Sequence, residues 1–238
     1  MRWLPVLLAP LLSLSACDVA VETGSGPAVS SASGQMLSPE QAARSFTAVA
    51  RAVEPVAEAE CRRRSPSLTC DFRIVVDPDP RAPPNAFQSL DKSGQPVLTF
   101  TASMIATVQN ADELAFVMGH EAAHHIASHL ARQAQNAAAG AVVFAGLATL
   151  TGGGPNAVAT AQELGAAVGA RSYSKEFELE ADQLGTVITY YAGFDPLVGA
   201  QFFSRIPDPG DRFLGTHPPN AARMEAVRQT ARQLGLSG

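Results

Sequence analysis

Two periods organise the apolar positions of this chain, one helical and one extended, and the switches between them set out most of its elements. Ser38-Pro39-Glu40-Gln41 combines an N-cap residue, a proline at the first helical position and a glutamine at the third. It predicts a helix running to about residue 60. Pro55 should kink or split that helix, because proline lacks the amide hydrogen that the helical ladder uses. Phe72-Arg73-Ile74-Val75-Val76 is a β-rich run ended by the breaker Asp77-Pro78-Asp79-Pro80, and Pro96 to Thr101 is another. Between them Asn85-Ala86-Phe87 is a shorter and more polar strand candidate. A helix is predicted over 111–133, with Asn110 as N-cap and Asp112 and Glu113 in its first turn. Along it Leu114, Val117, Met118, Ala122, Ile126 and Leu130 recur at helical spacing, so one side is apolar. Ala137 to Thr151, closed by Gly152-Gly153-Gly154-Pro155, is too short for a comfortable membrane span. It reads as half of a helical hairpin, packed in the core or facing a membrane, with residues 156–171 as a second small-residue helix. Pro219-Asn220 opens a final helix. These elements give an α+β fold, mainly α, with a small sheet beside the helix at 111–133.

Composition narrows the setting. The chain has 238 residues and is 46% hydrophobic, enough for one sizeable core. Its net charge of −5 offers no basic footprint for nucleic acid, and both Arg62-Arg63-Arg64 and the dispersed C-terminal arginines read as solvated faces. Residues 1–16 form a targeting segment: Arg2 is the positive end, Leu4 to Leu14 the apolar stretch, and Leu14-Ser15-Ala16-Cys17 resembles the bacterial lipobox. Cleavage there would leave Cys17 lipidated as the first mature residue; the alternative is an ordinary signal peptide with an incidental cysteine. Residues 17–37, rich in Gly and Ser, read as a flexible tether, leaving 38–238 as the folded domain. Cys61 and Cys70 are then an even pair nine residues apart, either bridged around the Arg62 to Thr69 loop or present as two free thiols.

The candidate chemistry lies in the helix at 111–133. His120-Glu121-Ala122-Ala123-His124 is the H-E-x-x-H arrangement of zinc metalloproteases: residues four apart share a helical face, so both histidines can reach one metal ion with Glu121 beside them. Two histidines do not hold a catalytic zinc, which takes three protein ligands and a water. The metzincin continuation is absent, since Ala127 replaces its glycine and Leu130 its third histidine. His125 lies on another helical azimuth, and His129 is off the coordinating face, either behind the ligands or structural. Glu178 and Asp182, also four apart, are the better candidates. Glu178 would complete a His₂Glu set, and Asp182 would orient a ligating histidine through its other ring nitrogen. Glu176 and Glu180 read as a solvated acidic face.

Four stretches together resemble the HtpX/BepA/Oma-type family of zinc metallopeptidases: HEAAH, Glu178 to Asp182 within YSKEFELEADQLG, Tyr190 to Pro196, and Phe213-Leu214-Gly215-Thr216-His217-Pro218. The resemblance runs from about residue 70 to 232 and departs at Lys175, where relatives often carry arginine, and at the short polar strand near Asn85. It implies a zincin-like fold and one Zn²⁺ per chain, bound by His120, His124 and Glu178 with Asp182 behind them. Glu121 would be the catalytic base. His217 would stabilise the tetrahedral intermediate or act as a fourth ligand in a closed resting state. The strand at 96–101 would be an edge that pairs with extended substrate. The implied activity is endoproteolysis of unfolded or misfolded cell-envelope proteins. The implied setting is the periplasmic side of a bacterial membrane, held by the lipid anchor and within reach of envelope assembly machinery. The competing reading is a chaperone or assembly factor of the same fold that binds extended polypeptide without cleaving it.

Overall fold

The computed structural model describes residues 38–172, 174–210, 212, 215 and 217–236. The expected signal segment, Cys17 and the tether lie outside the described residues, as do Tyr173, Phe213, Leu214 and Thr216 of the two downstream motifs.

Helix α1 (Pro39–Arg64) starts at a capping box in which Ser38 and Gln41 each accept the other's backbone amide. It passes through Pro55 unsplit and ends a turn later than expected. Val49, Val53, Ala57 and Cys61, spaced by four, are each no more than 1% exposed, whereas Pro55 and Arg51 face solvent. The amide that proline lacks therefore leaves a carbonyl that water can satisfy, and the buried stripe keeps the helix whole. Cys61 and Cys70 are joined, with Cα atoms 5.6 Å apart.

Strands β1 (Arg73–Asp77), β2 (Ala86–Leu90) and β3 (Pro96–Thr101) form one sheet in the order β1-β3-β2. β3 runs parallel to β1 and antiparallel to β2. This corrects the expectation for residues 96–101. β3 is the most apolar strand, with Val97, Leu98 and Phe100 buried, so it takes the centre and both its edges are already paired. The strand expected to be weakest, β2, is an edge.

A short helix α2 (Ala102–Thr107) leads to α3 (Ala111–Ile126), nearly every residue of which is buried. Asn110 accepts from the Glu113 amide, while the Glu113 carboxylate accepts from the Gln109 amide and from Arg205. The helix expected to reach residue 133 stops at Ile126, because Ser128 adopts φ +56° and turns the chain into α4 (His129–Leu150). No glycine or proline marks this break, so the apolar periodicity reads straight across it.

α4 pairs with α5 (Pro155–Arg171) as a hairpin in which backbones touch: a Cβ on Gly140 would lie 2.1 Å from the Gly165 carbonyl oxygen. The hairpin is not packed into the core. Val142 is 73% and Leu150 86% exposed, and α4 and α5 chiefly contact each other. Among the described residues no helix is long and apolar enough to cross a membrane.

Helix α6 (Ser174–Tyr191) packs on α3, and α8 (Asn220–Gln233) packs on α6. Between them a short helix α7 (Pro196–Gly199), capped by Asp195, and a 3-10 turn (Ala200–Ser204) fill the base of α3.

Candidate metal centre

The site forms where α3 crosses α6. A Cβ on Gly119 would stand 2.9 Å from the Gly185 carbonyl oxygen, and one on Gly185 2.9 Å from the His120 amide nitrogen. Only glycines permit this approach, and the residue after Gly119 is His120. His120 and His124, one turn apart on α3, thereby meet Glu178 and Asp182, one turn apart on α6.

The two imidazoles turn Nε2 toward a common point. His120 Nε2 and His124 Nε2 are 3.0 Å apart, His124 Nε2 is 3.4 Å from Glu178 Oε1, and His120 Nε2 is 3.6 Å from Glu178 Oε2. Ligand atoms about 2.1 Å from a tetrahedral ion stand about 3.4 Å from one another, so these separations and the two-nitrogen, one-carboxylate donor set fit one divalent ion. The three residues form a cluster able to hold a metal, with ligand atoms all within 4.8 Å of each other. Glu121, buried, and His217, exposed, line the same cleft of about 800 Å³, with Phe87 and Gln88 of β2 on its wall. His217 Nδ1 stands 3.2 Å from Glu178 Oε2.

Asp182, fully buried, places Oδ1 2.9 Å from His120 Nδ1. Burial favours a neutral His120, but its hydrogen bonds to Asp182 and Glu178 prevail and push it up to about 10. Burial likewise favours protonated Glu178, yet bonds from His120, His124 and His217 hold it far below the usual carboxylate range. The pocket thus keeps an ionised carboxylate beside its histidines.

Arg223 is the residue that sequence reasoning missed. Counted among solvated C-terminal arginines, it is in fact 8% exposed, with Nε and Nη2 each 2.7 Å from an oxygen of Asp182 and its guanidinium 4.1 Å over the Phe203 ring. A signal was present: Arg223 lies on the helical stripe of Val227 and Ala231, so a charged residue shares α8's apolar face. Glu180 is exposed, as expected of the solvated face, and in addition its Oε2 accepts from Arg132 at 2.6 Å and lies 3.1 Å from His129 Nε2. Glu176 is exposed, as expected.

The other two histidines separate. His125 is buried away from the cleft, its Nε2 2.8 Å from the Thr69 carbonyl and its ring edge-on to Phe72. His129 lies behind the cluster, its Nδ1 2.9 Å from His124 Nδ1.

A helix carrying H-E-x-x-H, crossed by a second that supplies a carboxylate, defines a metallopeptidase. The chain belongs to peptidase family M48, whose model matches residues 43–231. It is 31% identical over 147 residues to the beta-barrel assembly-enhancing protease of Escherichia coli O157:H7, covering 52% of this chain and 28% of that one. A Vibrio cholerae protein provisionally given the same name is 36% identical over 139 residues, with the same two shares. Mitochondrial metalloendopeptidase OMA1 of Saccharomyces cerevisiae is 30% identical over 164 residues, covering 65% of this chain and 45% of that protein. The matches therefore span less than half the length of each relative.

Proposed function

We propose that this chain is a zinc-dependent endopeptidase acting on unfolded or misfolded proteins of the bacterial cell envelope. The observation that carries the reading is the convergence of His120, His124 and Glu178 beside Glu121 in one open cleft. His120, His124 and Glu178 would hold the ion, and Asp182, itself held by Arg223, fixes His120. Bound there, a zinc ion would supply Lewis acidity for the scissile carbonyl and for a water. Glu121, beside the ligands in the cleft, is placed to take a proton from the attacking water and hand it to the leaving amine. His217, at the rim beside Glu178, is the donor available to the developing oxyanion.

Substrate binding moves from β3 to β2. The Thr101 amide donates to the Asn85 carbonyl, so by antiparallel alternation the backbone groups of Ala86, Gln88 and Leu90 face the free edge. Ala86 and Gln88 also line the cleft. An extended segment added to this edge runs past Glu121, which selects chains that can unfold locally.

The envelope location rests on the lipobox-like Leu14 to Cys17, on the Cys61–Cys70 bridge, which suits an oxidising compartment, and on bacterial relatives named for β-barrel assembly. In this reading residues 1–16 are removed, Cys17 carries the lipid, 17–37 form the tether, and envelope assembly machinery is a partner.

Glu121→Gln decides the matter. Purified wild-type protein should hold one zinc per chain and cleave an unfolded polypeptide; the variant should keep the zinc and lose at least about 100-fold in rate. Absence of zinc, or unchanged hydrolysis in the variant, overturns the proposal. Rescue of an envelope defect by Glu121→Gln would favour the binding-only assembly factor that the relatives' names also allow.

A further inference from the structure

His120 and His124 occupy equivalent places in the cluster, but they are held differently. His120 Nδ1 meets a carboxylate directly, at Asp182. His124 Nδ1 meets another imidazole, His129, 2.9 Å away. A histidine that offers Nε2 to a metal needs its ring hydrogen on Nδ1. His124 Nδ1 must then donate, so His129 Nδ1 must accept and His129 must carry its own hydrogen on Nε2. That nitrogen lies 3.1 Å from Glu180 Oε2, an acceptor. Every link of the chain is satisfied in one direction only, from His124 through His129 to Glu180.

The surroundings fix the chain in place. His129 is 4% exposed, and its ring stacks on Phe177 at 4.7 Å with an interplanar angle of 13°. Arg132 donates to the same Glu180 oxygen and sets its guanidinium 4.2 Å from the Phe177 ring centre. His129 reaches this position because Ser128, at φ +56°, turns the chain between α3 and α4. A continuous helix would have carried it off the face of His124.

We infer that His129 and Glu180 are positioning residues for the metal centre: through His129, Glu180 sets the tautomer and ring orientation of His124, as Asp182 does directly for His120. Each ligating histidine is thus backed by one carboxylate of α6, and the same helix supplies the third ligand between them. This inference rests on the metal-site reading above.

The test uses the purified full chain and Zn²⁺, with affinity measured by chelator competition and ring tautomers read from ¹⁵N chemical shifts of the zinc-loaded protein. His129→Phe keeps the stacking on Phe177 and removes the acceptor. It should raise the zinc dissociation constant about 10- to 100-fold while leaving the metal-free melting temperature within a few degrees. His129→Asn, which restores an oxygen near the Nδ1 position, should recover part of that loss, and Glu180→Gln should show a smaller one. In the zinc-loaded protein His129 should carry its ring hydrogen on Nε2 and leave Nδ1 bare to accept from His124. Equal affinity in wild type and His129→Phe overturns the inference, as does a zinc-loaded wild type whose His129 carries its hydrogen on Nδ1. If wild type binds no zinc, the metal-site reading fails and the inference with it; equal affinities with zinc bound count against the inference alone.

Discussion

Two helix crossings in this molecule use the same device to different ends. At α3–α6 and at α4–α5, glycines let backbones touch, with a virtual Cβ 2.9 Å from the facing backbone at Gly119 and 2.2 Å at Gly165. Around the first crossing stand Glu121, Glu178, Asp182 and Arg223, all in or beside the core. Around the second there is no charged residue between Arg132 and Glu163, and Val142, Val143, Leu147, Leu150 and Leu164 are exposed. Close approach alone therefore makes no site. It fixes a distance, and a site forms where the residues flanking the contact can ligate and where enough protein surrounds them to hold their side chains in place.

The sharpest way to break the first region is Arg223→Met, which leaves Asp182 buried without its cationic partner. A loss of about 3–5 kcal/mol in denaturant unfolding is expected, together with loss of zinc. Gly185→Val forces α6 off α3 at His120 and should cost about 1–3 kcal/mol, with zinc content falling in parallel. Gly165→Val meets an even tighter contact, yet should leave zinc content and peptide hydrolysis near wild type while protease nicking in the hairpin rises. If Gly165→Val abolished zinc binding, the two regions would not be independent. The smallest effect belongs to Leu150→Lys at the exposed hairpin tip, within about 0.5 kcal/mol by thermal unfolding.

Where one physical signal dominated, the chain was legible. The capping residues Ser38 and Asn110 place the starts of α1 and α3, and the four-residue spacings on α3 and α6 bring together the residues expected at the metal centre. What escaped was set by long-range competition. Which strand takes the middle of a three-stranded sheet depends on what covers it, so β3 was misread as an edge. The stop at Ser128 is a backbone conformation without a breaker residue to announce it. Arg223 looked like its exposed neighbours because its partners lie on another helix, although the stripe it shares with Val227 and Ala231 was there to be noticed. The hairpin's apolar composition suggested a core, but two helices of small residues satisfy each other at the backbone and leave their larger side chains outside.

The Cys61–Cys70 bridge reaches further than the loop it closes. Within that loop Ser65 Oγ donates to the Ile126 carbonyl, and the Thr69 carbonyl receives His125, the residue next to His124. The last turn of α3 is thus pinned to a segment that the bridge closes. A covalent link between two cysteines therefore bears, through one hydroxyl and one carbonyl, on the residue beside His124.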